Sequence, residues 1–304
     1  MKKMKNERGA ALALVVIFMS VLLAGMALAI DVGMGVLEKS RMQRAADSAA
    51  LAGASKLPEN LAAAYSEALD YCQRHGVAAG EVQVGLSMSY PTRIQVLITR
   101  RIDHAFARIL GINQGTVAAK AQAETGVIGG MAGVIPIGVE EREFTYGDMY
   151  QLKRGAGTCE KEGTPGNCSN FGPLALGGFG ASVYEYNLIN GYNGIIRAND
   201  WVTTETGDMV GPTRVGINSR LDAGEGEAFP DFPVGTRRLV FLPIIESLDV
   251  GGRSEVLVVG FAAFYLEDFG SKGEVYGRFV RYHAPGEIYT PAEDFNLRGV
   301  KLVN

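Results

Sequence analysis

The sequence predicts an α+β chain: an N-terminal transmembrane helix continuing into a long amphipathic helix, a small antiparallel sheet with packed helices, and then a β-rich C-terminal domain. Three observations predict it. Residues 9–30 carry no charge. Residues 1–125 hold 24 of the 35 alanines but only 10 of the 40 glycines, whereas residues 126–304 hold 21 of the 26 aromatics. Short apolar runs separated by turn-prone clusters fill the second half. Alanine loses no side-chain entropy in a helix, whereas aromatics fit strands and glycine fits turns. The composition changes near residues 125–133, where "TGVIGGMAG" breaks the alanine-rich pattern.

A chain of 304 residues has room for two folded units. With 47% hydrophobic and 20% charged residues, wholesale disorder and a polytopic membrane protein are both disfavoured. The net charge is −4 and no basic stretch follows the first few residues, which argues against a nucleic-acid partner. Three cysteines are too few for a disulfide scaffold, and His75, His104 and His283 are too scattered for a histidine-rich metal site.

The first element is "GAALALVVIFMSVLLAGMALAI", residues 9–30. At 1.5 Å per residue it makes about 33 Å of helix, enough to cross a hydrocarbon core of roughly 30 Å. Residues 1–8 form a basic flank of net charge +3, and the remainder of the chain sums to −7. The positive-inside rule then places the N-terminus in the cytoplasm and the bulk of the chain outside, with the lipid bilayer as first partner. Three fates are open to the segment: a retained anchor, a signal peptide cut after Ala29, or prepilin-like processing after Gly9. Its length exceeds an ordinary signal core. Leu14 stands where prepilins commonly carry a glutamate. Gly25, Ala29 and Gly33 recur every four residues, a spacing that either lets a second helix approach closely in lipid, offering a route to self-association, or reflects only the frequency of Gly and Ala in membrane helices.

No proline interrupts residues 32–56, so the helix is expected to continue. Met42, Ala45, Ala49 and Ala52 form a narrow seam at helical spacing, with charged residues mostly off it. A second helix is expected over 58–75, with Pro58 in its first turn and Gly76 as its stop. Its apolar face is Leu61, Ala64, Tyr65, Ala68, Leu69 and Cys72.

The run "ERGAALALVVIFMSVLLAGMALAIDVGMGVLEKSRMQRAADSAALAGA", residues 7–54, resembles the N-terminal region of Tad (tight adherence) proteins, specifically TadG-like Flp pilus-assembly proteins. The features that carry it are Arg8-Gly9 before the apolar run, Asp31-Val32-Gly33 after it, and above all "RMQRAADSAALAGA". Weaker likeness continues in "FARILGI" and "VAAKAQAE", and in "SNFGPLALGG" and "GFAAFYLED" of the second half. The resemblance implies a membrane protein of a Tad/Flp pilus system whose partners are other Tad/Flp pilus proteins. Some family members carry a von Willebrand A domain with a DxSxS metal motif. That motif is absent here, so its activity is not implied.

The rest of a Tad-like α+β domain over 31–128 follows from local patterns. Runs 81–90 and 93–102 suit strands joined at Pro91-Thr92. Residues 103–112 suit a short helix capped by Asp103 and closed by Gly111. Val117, Ala119, Ala121 and Ala123 alternate as in a third strand. The outline is pilin-like. In the expected extracytoplasmic domain, 134–304, strands are read at 134–139, 238–245, 255–267 and 274–283, the last three as an antiparallel meander, with helices at 181–191 and from Pro212 to 221. Cys159 and Cys168, nine positions apart, can close a small disulfide loop outside the cytoplasm, or stand as two free thiols.

Catalytic signatures are missing. No GxSxG elbow, HExxH zinc motif or GxxxxGK[ST] phosphate loop occurs, and no cofactor or metal site is expected. The expectation is a non-enzymatic, membrane-anchored component of a Tad/Flp-type pilus assembly or secretion system. Two other classes stay open: an extracellular binding module or adhesin, and an anchored surface hydrolase without a recognisable motif.

Overall fold

A computed structural model describes residues 4–86, 90–154, 167–206, 209–248, 252–271, 273–288 and 292–303. The chain divides into two compact units, residues 1–125 with 301–304, and residues 126–300.

The first unit begins with α1, Met4–Ala54, one uninterrupted helix of 51 residues. Then α2, Leu61–Arg74, folds back on it. Asn60 caps α2 by accepting the backbone N–H of Ala63 at 2.8 Å. Pro58 therefore lies in the preceding turn rather than inside the helix, since proline offers no side-chain oxygen to the first free N–H groups. Gly76 ends α2 at φ +74°, letting Val77 N–H reach the Cys72 carbonyl at 3.0 Å. The buried face of α2 is Ala64, Ala68 and Cys72, while Leu61 and Tyr65 stay exposed.

Strands β1, Val82–Leu86, β2, Arg93–Asp103, and β3, Gln114–Met131, follow in antiparallel order. Their alternation is regular: Ile94, Val96 and Ile98 of β2 and Ala119, Ala121 and Ala123 of β3 are buried, as expected for a sheet with one covered face. The helix expected over 103–112 shrinks to a 3₁₀ turn, Ala107–Leu110, closed by Gly111 at φ +85°. Asp103 does not cap it. That residue ends β2 and accepts Gln114 Nε2 at 2.8 Å.

The second unit comprises β4, Ile137–Glu140, β5, Met149–Arg154, β6, Asn167–Ala175, α3, Ala181–Asn190, β7, Ile196–Arg197, and β8, Trp201–Thr204. It continues with α4, Val210–Ala223, β9, Leu239–Ile245, β10, Glu255–Phe269, β11, Val275–Val280, β12, Tyr282–His283, β13, Glu287–Ile288, and most of β14, Leu297–Val303. Strands β9, β10 and β11 form the expected antiparallel meander. The sheet is nevertheless mixed, because β4 runs parallel to β9 and β5 parallel to β6. It also closes on itself, in the order β11, β5, β6, β4, β9, β10 and back to β11. Closure explains the long apolar run of β10. One face of the strand contributes Ala262, Phe264 and Leu266 to a cluster with Tyr184, Leu188 and Ile217 of the helices. The other contributes Phe261, Ala263 and Tyr265 to a second cluster. A strand buried on both faces reads as a continuous hydrophobic run.

Candidate functional site

The residues singled out in the sequence concentrate on α1. Among the described residues, α1 is the one helix long and apolar enough to cross a membrane. Its large apolar side chains from Leu12 to Ile30 are exposed, so the described residues offer them little cover. Gly25, Ala29 and Gly33 are exposed too, and a Cβ built on Gly25 or Gly33 would meet nothing within 4 Å.

Further along, the same helix is packed. Met42, Ala45 and Ala49 are buried against the rest of the first unit, and Ala52 is half-buried at the margin. The buried stripe also takes in Ala46, Ala50, Gly53 and Ala54. Gly53 marks a close approach. A Cβ there would stand 2.5 Å from Ile94 Cδ1, 2.9 Å from the Ala64 carbonyl oxygen and 3.2 Å from Ala68 Cβ. Small side chains thus allow α1, α2 and β2 to meet. Sequence spacing drew attention to the alanines but missed Gly53, because its demand comes from α2 and β2 rather than from α1.

Polar contacts lock this packing. Arg100 of β2 donates from Nη1 to Glu38 Oε1 at 2.5 Å, from Nε and Nη2 to the Glu81 carboxylate at 2.8 and 2.7 Å, and from Nη2 to the Gly76 carbonyl at 3.0 Å. One guanidinium therefore ties α1, β2 and the turn after α2. The hydrogen bonds from Arg100 hold the Glu81 carboxyl below the usual carboxylate range, against the opposing effect of partial burial. Burial pushes the Glu124 carboxyl up, but hydrogen bonds from Lys301 and Arg93 outweigh it and leave it lowered.

Asp31 follows the uncharged segment directly and is only 3% exposed. Its carboxylate accepts three backbone N–H groups, from Ala105 at 2.8 Å, Phe106 at 3.0 Å and Ala107 at 2.6 Å. These are free donors of the 3₁₀ turn, so Asp31 supplies from 74 or more residues away the cap expected of Asp103.

Cys159 and the Cys168 side chain lie outside the described residues. Cys72 is free and buried on α2, and its burial pushes the thiol up to about 11, an unreactive setting. A cavity of about 670 Å³ in the second unit is lined by Phe144, Tyr146, Phe229, Phe232 and Arg281, among others, with no nucleophile–base pair in its lining. Among the described residues, no group of three or more His, Cys, Asp or Glu side chains could hold a metal ion.

Residues 9–56 match the Tad family model, described as "Putative Flp pilus-assembly TadE/G-like". The matched stretch coincides with the part of α1 that carries the resemblance read from residues 7–54. No curated protein and no solved structure matches the chain.

Proposed function

We propose that this chain is a non-enzymatic, membrane-anchored component of a Flp-type pilus-assembly apparatus, with its N-terminus in the cytoplasm and both folded units outside. The Tad match over residues 9–56 supports a part in Flp pilus assembly. The observation that carries the rest is the division of labour along α1: exposed and apolar where it is uncharged, packed and salt-bridged where it meets α2 and β2. A helix with such an uncovered apolar half is matched to lipid, and its continuous backbone couples the bilayer rigidly to the folded part. The basic flank of residues 1–8 sets the orientation. Gly25, Ala29 and Gly33 offer a contact for a second helix, from another pilus component or another copy of the chain. Outside the cytoplasm, Cys159 and Cys168 meet conditions that favour a bridge.

The test is fractionation and protection. The full-length protein should remain with membranes through carbonate washing. Protease added to spheroplasts should digest the chain beyond residue 33 and spare a small N-terminal fragment. Changing Lys2, Lys3, Lys5 and Arg8 to Glu should impair or invert insertion. A soluble species beginning at Ile30 would instead establish a cleaved signal peptide, and one beginning at Ala10 a prepilin-like subunit.

A further inference from the structure

We propose that the tip of the β2–β3 hairpin, residues 104–112, is a second membrane contact, seated in the outer headgroup layer beside α1. The inference rests on the reading of α1 as a membrane anchor and adds to it a lipid-facing surface on the folded part.

The starting point is Asp31. It is the one charged residue between Arg8 and Glu38. Its position is about 33 Å along the helix from Gly9, at the far edge of a hydrocarbon core of roughly 30 Å. An open carboxylate there would be costly, but this one is covered by the three N–H groups of residues 105–107. The apolar exposed surface of α1 does not stop at Asp31. Val32, Met34, Val36 and Leu37 are exposed as well, and polar helix resumes only at Glu38. From Gly9 to Leu37 the helix rises about 42 Å, the thickness of a bilayer including its headgroups, roughly 40–45 Å.

The same hydrogen bonds fix the height of the hairpin tip. Held to Asp31, it cannot lie further from the bilayer than the first turn of α1 beyond the core. At that level it exposes Phe106 at 39%, Ile109 at 80% and Ile112 at 55%. Three exposed large apolar side chains among the described residues of this turn suit an interface, where aromatic and aliphatic groups enter the acyl boundary. Arg101 and Arg108, both exposed, flank them and can reach lipid phosphates while their stems stay apolar. A protein partner would fit the apolar residues alone. The shared height with the end of the apolar helix surface favours lipid.

Depth-dependent quenching tests this. The chain has a single tryptophan, Trp201. In a Trp201→Phe background, one variant carries Phe106→Trp, a second Ile109→Trp and a third, as reference within the span, Phe18→Trp. Each full-length protein is reconstituted in phosphatidylcholine–phosphatidylglycerol vesicles whose acyl chains are brominated either near the headgroup or near the methyl end. The tip variants should emit in the blue and be quenched more by bromine near the headgroup, and the Phe18 variant more by deep bromine. A quenched Phe18 variant with both tip variants unquenched overturns the hairpin contact and leaves the anchor standing. Blue-shifted but unquenched tip variants point to a protein contact and overturn it equally. An unquenched Phe18 variant removes the anchor and this inference together. Because Phe106 and Ile109 are exposed, neither substitution burdens the core, and the two report independently.

Discussion

Gly53→Ala tests whether α1, α2 and β2 meet as closely as the structure places them. In an exposed helix interior this change stabilises by about 1 kcal/mol, because alanine loses less backbone freedom than glycine. Here the new methyl would stand 2.5 Å from Ile94 Cδ1 and 2.9 Å from the Ala64 carbonyl oxygen. Ile94 is only 1% exposed, so its side chain has little room to turn away. The Ala64 oxygen is α2 backbone and can move only with the helix. Overfilling a packed contact by a methylene or two costs roughly 1–3 kcal/mol. The net expectation is a destabilisation of up to about 2 kcal/mol, or a melting temperature lower by several degrees, given about 4–8 °C per kcal/mol for small domains. Gly53→Leu should fall well below that. The assay is calorimetry of the full-length protein in detergent micelles, with hydrogen exchange of the α2 amides to locate the change. A melting temperature raised by the amount helix propensity alone supplies, with α2 protection intact, would refute the close approach. The sign is therefore the diagnostic, since the two contributions oppose each other.

Three further outcomes follow from named contacts. Asp31→Ala should abolish exchange protection at the amides of residues 105–107, measured in micelles, while leaving the β2–β3 pairing at Ile94 and Ala123 protected; unchanged protection would show that the carboxylate is not their acceptor. Arg220 is buried at 6% exposure, donates from Nε to the Leu188 carbonyl at 2.5 Å and from Nη1 to the Arg237 carbonyl at 3.1 Å, and burial brings its guanidinium down to about 10, still charged at neutral pH. Arg220→Met should cost about 1–3 kcal/mol for each carbonyl orphaned, read as a lower urea midpoint of the second unit. Glu81 has a lowered folded-state pKa, so its pairing with Arg100 stabilises above the ordinary carboxylate range and is lost as pH falls through the folded value. Glu81→Gln should flatten the acid limb of the stability–pH curve, and a slope equal to that of the unsubstituted protein would remove Glu81 from the account.

Much of the fold was legible from local chemistry. The uncharged run of residues 9–30, the alternation of Ile94, Val96 and Ile98, and the stops at Gly76 and Gly111 all depend on neighbours within a few residues, and periodicity and turn chemistry report such neighbours directly. The α+β class and the Tad resemblance follow from the same kind of signal. Strands β5, β6, β8 and β14 escape the sequence reading because β6 and β14 carry glycine among mixed polar and apolar residues, while β5 and β8 are too short to show a clear period. Ring closure of the second sheet holds β5 and β6, β8 pairs with β10 and β6 beside that ring, and β14 joins the first sheet next to β3, so pairing supplies what local propensity lacks. The helix expected over 103–112 failed for a related reason. Asp103 had the chemistry of a cap, but β2 extends far enough to absorb it, and Asp31 arrives from α1 instead. Arg100, Gly53 and Asp31 owe their roles to partners on other elements, at separations no local window spans. Sequence alone determined which stretches are apolar, where they start and stop, and what family they resemble. Tertiary structure decided which small residue must be small and which carboxylate is covered, because close approach and hydrogen-bond satisfaction belong to pairs of distant groups and not to either member alone.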